Sequence, residues 1–270
     1  MKARFKKLVE QNRWLRYVPN SLTLCNSLCG FAAILYTLRA YEGYSLEIGI
    51  FAVSAWIILC AMVFDALDGF AARIFNAASM HGIQMDSLAD MVTFGVAPAT
   101  LVAIFAHKLR GELMPNQELL IYLLCSVYLG GAALRLATYN VYAIQGKKEP
   151  SGYFSGLPSP GAAAAVCSLV MVAQSERIPE MVLANWLPVY AAVLGLLMVS
   201  PFRYFHFARW VQTAFRNRKR MFILIVLLVI VAAFRTAAFA GLITLYVLGN
   251  PVYDIFRRLR EKKSQAEPAA

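Results

Sequence analysis

Four of the five aspartates in this 270-residue chain, Asp65, Asp68, Asp86 and Asp90, fall within one 26-residue window. Asp65 and Asp68 are three residues apart, and Asp86 and Asp90 are four apart, so on helices each pair shares one face. Two such pairs on neighbouring helices bring four hard oxygen donors together. That donor set suits Mg²⁺ or Mn²⁺, with places for two ions. Two divalent ions in turn suit phosphoryl transfer, where charge builds up on phosphate oxygens. Gly69 follows Asp68 and leaves the helix surface bare for close approach of a ligand. Gly82 does the same ahead of Asp86, Ala72 keeps the groove shallow, and Arg73 is a natural phosphate partner.

The elements that carry these carboxylates are oily. The chain is 60% apolar and 15% charged, with a mean hydropathy of +0.58. Soluble domains average about 45–50% apolar and about 25% charged. Disorder, collagen and coiled coil are excluded by the same figures. Segments of about 20 apolar residues, the length needed to cross a bilayer, fall at roughly 18–39, 48–72, 83–106, 118–142, 157–175, 182–202, 220–237 and 239–256. The last two are divided only by a tight turn around Phe239 to Gly241, and one long kinked helix is the other reading, so the range is six to eight. The expectation is an all-α integral membrane protein, a polytopic bundle of about eight transmembrane helices. Residues 18–204 form a six-helix core, and 205–256 hold a basic loop and two further helices. Residues 257–270 form a basic tail. Residues 1–17 mix Phe5, Leu8, Val9, Trp14 and Leu15 with cations and read as an interfacial amphipathic helix, not a signal peptide.

The net charge is +11, from 26 Lys and Arg against 15 Asp and Glu. With eight spans, 20 cations fall on one side and five on the other, with Arg135 left inside the fourth span. The positive-inside rule then puts both termini, and the carboxylates, at the cytoplasmic face of the cell's inner membrane. The basic excess is read as a membrane signal, and no polar face is present to bind nucleic acid. The five cysteines lie in apolar runs without a CxxC pair, and the three histidines are scattered, so the cysteines read as small buried hydrophobes and zinc is not expected.

All four aspartates lie in the second and third spans. The turn between those spans, roughly 74–82, is short and makes them antiparallel neighbours, so the carboxylates share one depth. Ionised carboxylates in hydrocarbon are costly unless cations neutralise them. Helix–helix hydrogen bonding accounts poorly for four at these spacings. A divalent-cation transporter is the different-class alternative, but it needs carboxylates spread across the bilayer or broken helices in repeated halves, and neither is visible.

The order Asp65-x2-Asp68-Gly69-x2-Ala72-Arg73-x8-Gly82-x3-Asp86-x3-Asp90 resembles the signature of the CDP-alcohol phosphotransferase family, with all eight fixed positions present. Further stretches resemble its membrane-integral, serine-using branch: PNSLTLCN (Pro19 to Asn26), DSLADMVTFGVAPA (Asp86 to Ala99), RLATYN (Arg135 to Asn140), FSGLPSPGAAA (Phe154 to Ala164) and LMVSPFRY (Leu197 to Tyr204). The usual RLARFN reads RLATYN here, with Thr138 and Tyr139 in place of Arg and Phe.

The resemblance implies attack of an alcohol on the lipid-side phosphate of a CDP-linked lipid, with release of CMP. For this branch the lipid is CDP-diacylglycerol and the alcohol L-serine. Glycerol 3-phosphate, inositol phosphate and choline are the alternatives within the family. Carried over by motif position, Asp65, Asp68 and Asp86 ligate metal, and Asp90 is the general base that also touches a second metal. Gly69, Ala72 and Gly82 line the cytidine and diphosphate groove, and Arg73 holds phosphate. A homodimer is implied as well. For the acceptor, Arg135 needs an anion, either a phosphate, the serine carboxylate or one of the four aspartates. Asn140, Arg203 and Thr93 are further candidates for that pocket.

Overall fold

A computed structural model describes residues 17–41, 49–75, 79–111, 114–145, 153–173, 179–205 and 218–266, with the side chains of Arg73, 153–154, 218–220, 222–235 and 261–266 outside the description. The expected interfacial helix and the basic loop at 206–217 also lie outside the described residues.

The helices follow the apolar runs. They are α1 (Val18–Leu38), α2 (Gly49–Ile74), α3 (Met80–Asp90), α4 (Ala97–Arg110), α5 (Pro115–Ile144), α6 (Ser159–Ala173), α7 (Glu180–Val199) and α8 (Arg218–Ala266). A π-helical turn, Met91–Val96, joins α3 to α4 as one crossing. Among the described residues, six stretches are long and apolar enough to cross a membrane: Val18–Tyr41, Gly49–Ala72, Met80–Arg110, Pro115–Ile144, Glu180–Val199 and Thr236–Arg260.

Burial follows residue size in a way that fits lipid as solvent. Small residues such as Ala55, Ala162, Ala184 and Ala191 are fully buried. Trp56, Trp186, Leu134 and Leu196 face outward, each about 60% exposed or more. Without a hydrophobic force between helices, close backbone packing by small residues holds such a bundle, and large side chains meet lipid. Hydroxyls inside the helices bond back to carbonyls four residues earlier, as Thr23, Thr37 and Ser54 do to Pro19, Ala33 and Ile50. The chain is an integral membrane protein. Its centre is α6, whose 15 residues are nearly all buried among α2, α7 and α8. At ~1.5 Å per residue α6 is shorter than the hydrocarbon core, a length tolerable for a helix walled by protein.

Three expectations need correction or addition. The tight turn around Phe239 to Gly241 is absent, and the backbone is helical throughout Arg218–Ala266. Gly241 alone does not end a helix, since one glycine costs only ~1 kcal/mol and no polar turn residues flank it. Arg218–Lys219–Arg220 and Arg257–Arg258 therefore stand at opposite ends of one helix, ~58 Å apart along it, and do not meet on one surface through a hairpin. Second, the fold is all-α as expected, but it carries one short ribbon that was not foreseen. Tyr153–Ser155 (β1) and Arg203–Phe205 (β2) form an antiparallel ribbon with Ser155 opposite Arg203. Three-residue strands are too short to show a period. Third, the cysteines are free thiols, but only Cys125 and Cys167 are buried, and Cys60 is exposed.

Proline carbonyl partners are met in the same way twice. Pro98 has no N–H for the Phe94 carbonyl four residues earlier, and the Tyr128 hydroxyl donates to that oxygen at 2.9 Å. Pro251 likewise releases the Val247 carbonyl, which accepts from the Tyr204 hydroxyl at 3.1 Å. Both tyrosines are fully buried. Burial, and after it the neighbouring Tyr246, pushes the Tyr204 phenol above its ordinary range, so it stays a neutral donor. Tyr128→Phe and Tyr204→Phe are each expected to cost ~1–3 kcal/mol, because a buried carbonyl loses its partner. Thermal unfolding in detergent checks this, and unchanged midpoints would refute it.

Candidate active site

The carboxylates come together across a gap between helices. Helix α2 presents Asp65 and Asp68, and α3 presents Asp86 and Asp90. The second and third spans are antiparallel neighbours as expected, with Phe51 of α2 packed edge-on against Phe105 of α4 while Asp65 and Asp68 meet Asp86 at the other end, and α1 lies against both α2 and α3. One oxygen each from Asp65, Asp68 and Asp86 lies within 4.8 Å of the others. A shared divalent cation draws carboxylate oxygens to ~2.0–2.6 Å from itself, and small side-chain rotations close that difference. Asp68 is 4% exposed, and its Oδ2 is buried with no hydrogen-bond partner. Such an orphaned anionic oxygen is expensive unless a cation meets it. The described ion pairs, Arg258 with Asp254 and His107 with Glu118, lie elsewhere. The trio therefore fits a hard divalent ion.

Asp90 stands beside this trio and not in it. It lies within electrostatic reach of Asp65, Asp86 and Asp68. Its Oδ1 accepts a hydrogen bond from Asn26 Nδ2 of α1 at 3.2 Å. The π turn begins directly after it, and the Ala97 N–H reaches back five residues to the Val92 carbonyl. Such a widened turn is common at functional sites, and here it follows from Pro98 one turn on. Ser79 caps α3 at its other end, accepting from the Gly82 N–H at 3.0 Å.

The groove residues divide. Gly69 is exposed, and a Cβ added there would meet nothing within 4 Å, so the surface beside Asp68 is open. Ala72 is half-buried. Gly82 is tighter, its Cβ position lying 3.2 Å from Ser79 Oγ and 3.6 Å from Asn20 Oδ1. The Arg73 side chain lies outside the described residues.

The acceptor candidates are not gathered in one place. Asn140 Oδ1 accepts from Ser87 Oγ at 2.7 Å, which brings the end of α5 to the residue next to Asp86. Arg135 is half-buried, and its Nη1 donates to Ser159 Oγ at the start of α6 at 3.1 Å. Thr93 is fully buried, and its hydroxyl donates to the Asn26 carbonyl. Arg203 is exposed on β2 and lines a small cavity with Phe205, Asn250, Tyr253, Asp254 and Arg257.

Sequence reasoning did not single out Asn26, Ser87 or Ser159. Asn26 carries a usable signal, since an amide in an apolar span needs a partner. The serines carry none, because a membrane helix satisfies a hydroxyl on its own backbone.

Residues 16–199 match the family model described as CDP-alcohol phosphatidyltransferase. The chain belongs to that family. It is therefore a transferase of the CDP-alcohol phosphatidyltransferase type, and the carboxylate cluster sits within the matched region. A Helicobacter pylori protein named CDP-diacylglycerol–serine O-phosphatidyltransferase is 28% identical over 243 residues, covering 89% of this chain and 90% of that protein. A Bacillus subtilis protein of the same name is 33% identical over 198 residues, covering 72% of this chain and 93% of that protein. A third, from Saccharomyces cerevisiae, is 34% identical over 161 residues, covering 57% of this chain and 53% of that protein. The match closes at the end of α7, and β2 and α8 lie beyond it.

Proposed function

We propose that this transferase moves the phosphatidyl group of CDP-diacylglycerol to the hydroxyl of L-serine, forming phosphatidylserine and releasing CMP. The observation that carries the reading is the meeting of Asp65, Asp68 and Asp86 oxygens within 4.8 Å, with Asp68 Oδ2 unpartnered and Asp90 alongside. The serine-specific part is supported by the relatives' names over nearly the whole chain.

Asp65, Asp68 and Asp86 would hold divalent metal, Mg²⁺ or Mn²⁺, as two ions with Asp90 contributing to the second. When bound, the metal supplies charge stabilisation at the diphosphate oxygens. The remaining roles belong to the chain. The bare surface at Gly69 admits the diphosphate and cytidine, with Ala72 and Gly82 bordering the same groove. Asp90 takes the proton from the serine hydroxyl as the oxygen attacks the lipid-side phosphorus. The bond between that phosphorus and the CMP oxygen breaks, and CMP leaves with the bonding pair. Asn140, held beside Asp86 through Ser87, would border the serine. Arg135 and Arg203, which stand apart from it, are candidates for drawing its carboxylate in, and Thr93 acts behind the site because its hydroxyl is engaged with α1. The mouth of the site opens to the cytoplasm. That orientation is supported by the six cations ahead of α1 and by Arg203, Arg257 and Arg258, which stand together with the ribbon.

The test uses purified protein, CDP-diacylglycerol and Mg²⁺ or Mn²⁺, with L-serine, glycerol 3-phosphate, inositol phosphate and choline offered in turn. CMP release with L-serine alone is expected, and turnover with glycerol 3-phosphate in its place overturns the substrate assignment. Chelation with EDTA is expected to remove more than about 99% of CMP release, a loss typical of a metal that bears transition-state charge. Readdition of Mg²⁺ or Mn²⁺ should restore it, and activity that survives chelation would remove the metal from the reaction.

A further inference from the structure

We infer that Asn26 is a positioning residue for Asp90, braced from behind by Thr93. This rests on the reading of Asp90 as the general base. Asn26 belongs to α1, which holds none of the signature residues, and it is 0% exposed. Its Nδ2 donates to Asp90 Oδ1 at 3.2 Å. Asp90 otherwise faces three like-charged carboxylates, Asp65, Asp86 and Asp68, and a neutral amide donor fixes one of its oxygens without adding charge. Asp65 lies within hydrogen-bond reach of the same carboxyl, and the fixed orientation holds Oδ2 to take the proton.

The amide is itself fixed. Thr93 Oγ1 donates to the Asn26 main-chain carbonyl at 3.0 Å, and Thr93 is fully buried in the turn just after Asp90. Gly30, one turn along α1, makes the approach possible, since a Cβ there would lie 2.5 Å from Thr93 Oγ1 and 2.8 Å from Thr93 Cα. Donor, base and brace thus form a closed circuit between α1 and the π turn.

Asn26 is a poor choice for stability alone. Its Oδ1 is buried with no partner, which carries a desolvation penalty. Leucine has the same branched arrangement of side-chain heavy atoms, though it is bulkier, and would carry no such penalty. A residue present for packing would not leave that acceptor unpaired, whereas a residue present for its N–H donor tolerates it.

Asn26→Leu should therefore separate stability from turnover. Its thermal midpoint is expected to stay within a few degrees of the unsubstituted protein, because relief of the unpaired Asn26 Oδ1 offsets the partner lost by Asp90 Oδ1, while kcat falls ~10–100-fold through loss of orientation. KM for CDP-diacylglycerol and the affinity of the tighter Mn²⁺ ion measured by calorimetry should change less than about twofold, because the trio of Asp65, Asp68 and Asp86 is untouched. Thr93→Val should lower kcat more than Thr93→Ser, which keeps the hydroxyl, and Thr93→Val should cause no further loss on top of Asn26→Leu. The Thr93 pair decides the matter if Asn26→Leu does not fold. Unchanged kcat in Asn26→Leu, or equal effects of Thr93→Val and Thr93→Ser, overturns the inference. Asp90→Asn run in parallel distinguishes the failures. If Asp90→Asn keeps turnover, the base assignment has failed; if it is inactive while Asn26→Leu is fully active, only the positioning role has.

Discussion

Asp90→Asn is expected to lower CMP release at least ~100-fold, the lower bound for removing a general base. The substitution is isosteric and removes one negative charge from a group of four, so it relieves repulsion and should leave the thermal midpoint equal or higher. Asn26 can still pair with the new side chain through either end of its amide. Loss of turnover with a stable fold would thus report chemistry and not collapse. Asp68→Asn is the informative comparison, because Asp68 belongs to the trio whose oxygens meet. Its loss should be partly reversed by raising Mn²⁺, since weakened binding yields to mass action. The Asp90→Asn loss should persist at saturating Mn²⁺, because refilling the second metal position does not restore the missing proton acceptor. If Asp90→Asn releases CMP at the rate of the unsubstituted protein, the serine proton goes elsewhere.

How much of this was legible beforehand depends on which forces set each feature. Asp65, Asp68 and Asp86 could be grouped from spacing because helix periodicity fixes which residues share a face, and the cost of charge in hydrocarbon forces carboxylates together around a counter-charge. The same logic placed the core helices to within a few residues, since the requirement for ~20 apolar residues is strict. What periodicity does not encode is which helix lies beside which. The short turn identified the second and third spans as neighbours but gave no sign that α1 lies against both, and so Asn26 enters the site from a helix without any signature residue. Arg135 and Arg203 were legible as cations but not as neighbours, because side-chain reach across helix ends depends on the ribbon β1–β2 and on α8. The turn around Phe239 to Gly241 was inferred from length alone, and the one glycine there is too weak a breaker to make it.

The two adjacent glycines of α5 give the sharpest test of the packing. Gly131 faces α7, and a Cβ there would collide with the Gly195 carbonyl oxygen and lie 2.8 Å from Gly195 Cα. The reciprocal position is as tight, with a Gly195 Cβ 2.5 Å from the Val127 carbonyl oxygen and 2.6 Å from Tyr128 Cα. These contacts are backbone on backbone, so no side chain can move aside, and the helices must separate. Separation would also pull at Tyr128, whose hydroxyl caps the Phe94 carbonyl in the crossing that carries Asp90. Gly131→Ala and Gly195→Ala are each expected to cost ~3 kcal/mol or more, the upper end of overpacking. For a chain of this size that is a fall of roughly 6–12 °C in thermal midpoint. Gly130→Ala is the internal contrast. A Cβ at Gly130 meets nothing within 4 Å, so alanine there should be neutral or should gain up to ~1 kcal/mol from helix propensity. Equal midpoints for Gly130→Ala and Gly131→Ala would mean that α5 and α7 do not meet through these residues.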